Sequence, residues 1–259
     1  MLDAEQTRPN WPAWYGFAAL GLALLVTILG GGILFAILSA ATGIKSDDPG
    51  FTLAATVVQD GALAGSAIWL AMQTRRPRPW HFGLRGVRFL RGLKWGVIAF
   101  AIYFVFQLIY VAAVHPDQEQ TTLRDLGAGN GAATTILIGV LVVGIAPFIE
   151  EFFFRGFFYG ALRTRFTFLT AAAIDGLVFG VVHAPTGVEA VPPLMALGFA
   201  LCVAYEATGS ILPGVVLHTL NNMIAFGSDK DGDWAVAGIT AVLVVTACVM
   251  LPRRSRTLS

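Results

Sequence analysis

The sequence predicts an all-α polytopic membrane protein of about eight transmembrane helices, with both termini in the cytoplasm. The first reason is composition. Of 259 residues, 56% are apolar and 13% are charged, against ~25% charged in soluble domains, and the mean hydropathy is +0.71. A soluble domain of this size would have too little polar side chain to cover its surface. The second is that stretches of the ~17–25 apolar residues needed to cross ~30 Å of hydrocarbon recur eight times. The third is that the cations sort by loop, as the positive-inside rule expects.

The first stretch, 13–41, is longer than a signal-peptide core and lacks an Ala-x-Ala site followed by a soluble domain, so it reads as a retained span. The others follow at 51–72, 93–114, 132–163, 168–185, 190–208, 211–226 and 234–251. Loop 73–92 and its edges carry Arg75, Arg76, Arg78, Arg85, Arg88, Arg91 and Lys94. Arg155, Arg163 and Arg165 cluster in the 155–167 region, and Arg253, Arg254 and Arg256 close the chain. With Arg8, 14 of 17 basic residues fall on one side, leaving Lys45, Arg124 and Lys230 opposite. Asp47, Asp48, Asp117, Glu119, Asp125, Glu189, Asp229, Asp231 and Asp233 share those opposite loops.

Neither an internal repeat nor a low-complexity linker divides the chain, so 1–259 is expected to be one membrane-embedded domain. The net charge of +1 conceals the sorting, and no basic stripe points to nucleic acid. Cys202 and Cys248 lie in apolar runs and read as small buried hydrophobes, which excludes a disulfide framework or a cysteine zinc ribbon. Trp11, Trp14 and Trp80 flank spans and read as interfacial anchors.

Ionisable residues at membrane depth are costly and point to function. Asp60, Glu150, Glu151, Arg155, Asp175, His183, Glu206, His218, Asn221 and Asn222 stand there. Pro147 should kink the fourth span just before an acidic pair. Glu151 and Arg155, four apart with the acid first, suit an ion pair on one helical face. Glu150, rotated by ~100°, points elsewhere and is left over as a candidate base. Counted from the turn near 163–167, Glu150 and His183 lie ~20–24 Å along antiparallel helices and should meet. His218 and Asn222 share a face of the seventh span ~12–18 Å in, close to the same level. Gly176, Gly180 and Gly214, with Ala184, would let the helices approach. Asp60 and Asp175 are candidate supporting partners, and Glu206 reads as interfacial.

Two histidines, a carboxylate and an amide suit either a metal site, with Glu150, His183 and His218 as ligands, or a water activated by Glu and His beside an oxyanion hole of His and Asn. No nucleophile elbow and no His-Glu-x-x-His motif is present, so hydrolysis by activated water is favoured over acyl-enzyme chemistry.

Glu150-Glu151-x-x-x-Arg155, Phe179-x-x-x-His183 and His218-x-x-x-Asn222 resemble, in order, the three motifs of the CPBP family, the CAAX-prenyl-protease and bacteriocin-processing intramembrane endopeptidases. The segment Tyr205–Ile211 also resembles that family, and the likeness covers roughly 132–226, the motif-bearing core. It implies a multi-pass, CAAX-protease-like membrane endopeptidase acting on a protein or peptide substrate, membrane-anchored or not. Glu150 would be the general base helped by His183, with His218 and Asn222 stabilising the oxyanion. Glu151 and Arg155 would be structural or orienting. A divalent metal, zinc if any, is implied only by the family's frequent description as metalloproteases. The alternative is a non-catalytic transporter or bacteriocin-immunity binding protein that uses the same polar patch.

Overall fold

The computed structural model describes residues 10–46, 48–115, 126 and 131–251. Its eight long helices among the described residues follow the apolar stretches: α1 (Trp14–Thr42), α2 (Pro49–Met72), α3 (Phe89–Val114), α4 (Ala132–Leu162), α5 (Phe168–Val182), α6 (Val191–Thr208), α7 (Leu212–Ser228) and α8 (Trp234–Met250). Arg8, Asp47, Asp117, Glu119, Arg124, Asp125, Arg253, Arg254 and Arg256, used above in sorting the loops, lie outside the described residues.

Local signals set the helix ends. Asp48 caps α2 by accepting from the Gly50 N–H at 2.8 Å, with Pro49 opening the helix. Asp233 caps α8 through the N–H groups of Ala235 and Val236. Gly43 and Gly209 end α1 and α6 in the left-handed conformation. α5 stops at Val182 rather than 185, because Pro185 cannot continue a helix. His183 is therefore the terminal residue of that helix, not an interior one.

Four of these helices, together with α6 and the short turn before it, are long and apolar enough to cross a membrane, and α5 and α8 are shorter apolar helices. At 1.5 Å per residue the 15 residues of α5 rise only ~22 Å. The packing is that of a membrane protein, with an apolar outside. Ile28, Leu29, Leu90, Ile109 and Leu243 are exposed on α1, α3 and α8, while Glu151, Arg155, Asp175 and His218 are buried.

α4 is the central element, buried at every position from 151 to 162. It is no regular α-helix: the α-helical segment Ala146–Glu151 sits between π-helical segments Val140–Ile145 and Phe152–Phe158. The kink expected at Pro147 takes this form. Around α4 the helices pack as α1 on α2, α5 on α6, α6 on α3, and α7 on α8, with α2 and α7 both touching Ala146–Glu151. Gly176 and Gly180 do permit close approach, but against α6, where an added Cβ would meet the Met195 and Val191 carbonyls. Gly214 opens α7 to α4, since a Cβ there would fall on Glu151 Oε2.

Between α2 and α3 the chain turns inward through a 3₁₀ turn, Pro79–Phe82. Phe82 stacks on Phe152 at 4.5 Å, and its carbonyl lies against Gly156. Trp11, expected at the interface, is instead core: it is 2% exposed and packs on Phe82 and Phe157. The same turn docks on the α6–α7 connection. Ile211 N–H donates to Gly83 O, Ser210 Oγ to Arg85 O, Arg85 to Gly209 O and Arg91 to Ala207 O. The Tyr205–Ile211 segment is thus the receptor for this basic loop.

His81 holds the turn by accepting the Arg78 N–H at Nδ1, 3.1 Å away. Burial, and then the charges of Arg75 and Arg78, push its pKa below the ordinary 6.5. The folded state then binds fewer protons than the unfolded one, so the contribution is full above 6.5 and is lost as pH falls from there towards the folded pKa. Amide exchange across residues 73–84, corrected for its intrinsic pH dependence, should accelerate as pH falls below 6.5. His81→Gln should flatten that response, and a response equal to wild type in this variant would remove His81 as its cause.

Candidate active site

Three helices deliver the polar cluster. Glu150 and Glu151 come from the α-helical segment of α4, His183 from the end of α5, and His218 and Asn222 from one face of α7. Glu150 Oε2 stands 3.7 Å from His183 Nε2 and 3.8 Å from His218 Nε2. The shared depth expected from residue counting is therefore a real meeting. Both gaps exceed a direct hydrogen bond. Glu150 Oε2 is buried without a hydrogen-bond partner among the described residues, and such an atom calls for an explanation.

The ring contacts fix tautomers. His183 Nδ1 lies 2.6 Å from the Phe179 carbonyl, which can only accept, so Nδ1 carries the proton and Nε2 presents a lone pair when the ring is neutral. His218 Nδ1 lies 3.4 Å from Glu151 Oε1 and is protonated for the same reason. His218 Nε2 then donates only from the imidazolium form. The two adjacent acids thus hold one imidazole between them, Glu150 facing Nε2 and Glu151 facing Nδ1.

Glu151 also pairs with Arg155 as its spacing predicted, Nη1 donating to Oε1 at 2.8 Å. Arg155 is fully buried, four residues past Glu151 inside α4, so it stands at membrane depth and not with the loop cations of the 155–167 region. Its Nη2 donates to Gly198 O at 3.0 Å, its Nε lies 3.5 Å from Asp175 Oδ1, and its guanidinium covers the Phe179 ring at 4.5 Å. Cys202 donates to Asp175 at 3.2 Å, which gives this cysteine a polar role that the sequence did not suggest. Asp175, Phe179 and His183 are spaced by four and share a face, a signal that was available in the sequence.

Glu206 is more than interfacial. It accepts from Tyr159 at 2.8 Å and from Arg163 at 2.9 and 3.2 Å, tying the last turns of α4 and α6 together. Asp60 is buried in α2 with Oδ2 unpartnered among the described residues. Asn222 donates from Nδ2 to Val142 O at 2.9 Å, and Asn221 Nδ2 donates to Asn222 Oδ1 at 3.2 Å.

Glu150, His183 and His218 were also the possible metal ligands. Their donor chemistry suits a divalent ion, since each ring has Nδ1 tied to an acceptor. Their spacing does not: among the described residues no group of three His, Cys, Asp or Glu could hold one.

Residues 132–224 match the family model described as Type II CAAX prenyl endopeptidase Rce1-like. It is the stretch that carries the three motifs resembling the CPBP family. A Bacillus subtilis (strain 168) protein named "Putative membrane peptidase YdiL" is 31% identical over 137 residues, which cover 50% of this chain and 53% of that protein. The chain thus spans about half the length of the curated relative it matches. No solved structure matches. The apolar helices, together with the match to a membrane peptidase, make this a multi-pass integral membrane protein.

Breaking a buried ion pair by removing one partner leaves an uncompensated charge, at a cost of about 3–5 kcal/mol. Arg155→Met should therefore lower unfolding stability in micelles by about that amount. Adding Glu151→Gln and Asp175→Asn should recover most of the loss. No recovery in the triple variant would show that packing, not charge, is what Arg155 supplies.

Proposed function

We propose that the protein is an intramembrane endopeptidase of the CAAX-protease type that hydrolyses a peptide bond with a water activated by Glu150 and His183. The observation that carries this reading is the convergence of Glu150 Oε2 with two imidazole Nε2 atoms, one on each side at 3.7 and 3.8 Å. A water placed there can give its proton to the Glu150 carboxylate while the His183 lone pair orients it. Its oxygen attacks the scissile carbonyl carbon, and the carbonyl oxygen becomes the oxyanion. His218 Nε2 meets that oxyanion, helped by the N–H of Asn222 that is not donated to Val142. Glu150 then returns the proton to the leaving amine, so that peptide and water become acid and amine.

His218 donates from Nε2 in its imidazolium form, held by Glu151 at Nδ1, and Glu151 is in turn bonded to Arg155. Glu151 and Arg155 are accordingly positioning residues. The spacing of Glu150, His183 and His218 does not fit a divalent ion among the described residues, and no step above runs through one. The substrate is proposed to be a protein or peptide, membrane-anchored or reaching the site from the bilayer surface, with the protein's termini on the cytoplasmic side.

The test is cleavage by reconstituted protein of a panel containing an internally quenched prenylated CAAX peptide and a library of single-span membrane peptides. Glu150→Gln and His183→Ala should each reduce turnover by at least about 10²-fold while leaving insertion intact. Wild-type turnover in both variants would defeat the catalytic assignment, and tight capture of a peptide without cleavage would favour the binding-protein alternative. Dialysis against a chelator, with metal analysis of the product, decides the ion: full activity without stoichiometric metal excludes it.

A further inference from the structure

The backbone of α4 is one donor short at Pro147. In the first π segment the hydrogen bonds run five residues back, and the Ala146 N–H donates to the Leu141 carbonyl. The next carbonyl in that register, Val142, would accept from residue 147, and proline has no N–H. In hydrocarbon an unpaired carbonyl is costly, and prolines in membrane helices are tolerated where a neighbouring side chain satisfies the freed group. Asn222 does this from α7, with Nδ2 2.9 Å from the Val142 carbonyl. Asn221 sets the amide's orientation by donating to its Oδ1. A carbonyl can only accept, so the nitrogen end of Asn222 must face Val142.

We infer that Asn222 is a positioning residue as well as a motif residue: its bond to the Val142 carbonyl replaces the hydrogen bond that Pro147 cannot make, and so holds the α4 segment carrying Glu150 in register. Three residues separate Pro147 from Glu150, within one helical turn. A shift at the bulge therefore moves the Glu150 carboxylate relative to His183 and His218. The inference rests on the proposed role of Glu150, and it makes a claim that an oxyanion donor alone would not make. Whatever Asn222 does through the bulge becomes unnecessary once residue 147 has its own N–H.

The experiment is a double-mutant cycle of Pro147→Ala and Asn222→Ala in the reconstituted full chain, using the quenched peptide that wild type cleaves fastest in the panel. In the native background Asn222→Ala should lower kcat by about 10²-fold, the size of loss that a misplacement of about 1 Å can cause, with KM little changed. It should also lower the thermal midpoint in micelles. In the Pro147→Ala background the same substitution should cost clearly less in kcat, because only the oxyanion share of the loss remains once the bulge no longer needs Asn222, and should leave the midpoint in place. Equal losses of kcat in both backgrounds would overturn the inference and assign Asn222 wholly to the oxyanion. If Pro147→Ala is itself inactive, the midpoints decide, because an oxyanion donor gives no coupling in stability to residue 147. If Glu150→Gln retains wild-type turnover, the hydrolase reading fails, while a suppressed midpoint loss in the Pro147→Ala background would still establish the Asn222 bond to the bulge.

Discussion

A guanidinium inside a membrane protein is stable only if its charge is met by nearby acids and acceptors, and Arg155 meets that need by contacting three helices at once, although its Nε has no hydrogen-bond partner among the described residues. Its donors reach Glu151 on α4 and Gly198 on α6, with Asp175 on α5 beside Nε. The ring of Phe179 covers its face. Gly198 cannot be larger, since a Cβ would crowd the guanidinium and the Gly176 backbone. α5 and α6 are thereby fixed against α4 at one depth. The remaining carboxylate contact passes this constraint to the site, because Glu151 also faces His218 on α7.

The consequence is a division of labour between adjacent acids. Glu151 is fully buried and engaged with Arg155 and His218, so it serves as a framework group. Glu150 points away from that ion pair, with Oε2 facing two imidazoles. A rotation of ~100° between successive residues is enough to separate the two roles. The π segments on either side of Ala146–Glu151 set how that short piece is rotated within α4; Asn222 contacts the first, and Phe82 the second at Phe152 and Gly156. Control of Glu150 therefore extends beyond the residues that face it.

Much of this was legible in the residues. Apolar length placed all eight helices to within a few positions, because membrane spans are set by hydrocarbon thickness rather than by delicate propensities. Helical spacing paired Glu151 with Arg155, and counting rise per residue brought Glu150 to His183 and His218. Contacts between distant segments were not legible. Arg85 and Arg91 read as loop cations yet are bonded to the 207–210 turn, and Trp11 read as an anchor yet is core. Arg155 reads both as one of the cytoplasmic-side cations and as the partner of Glu151 at membrane depth; only the fold shows that the second holds, because its charge meets Glu151 and Asp175 rather than headgroups.

The sequence by itself determined an all-helical membrane architecture, the three motifs and the depth at which they meet, because periodicity, span length and local charge spacing depend only on near neighbours along the chain. Tertiary structure alone decided which carboxylate faces which ring nitrogen, that Asp175 completes the arginine cluster, and that Asn222 fills the bond missing at Pro147. Those choices turn on helix rotation and on two π segments in α4. A side chain from another helix has to arrive before such a backbone is worth adopting.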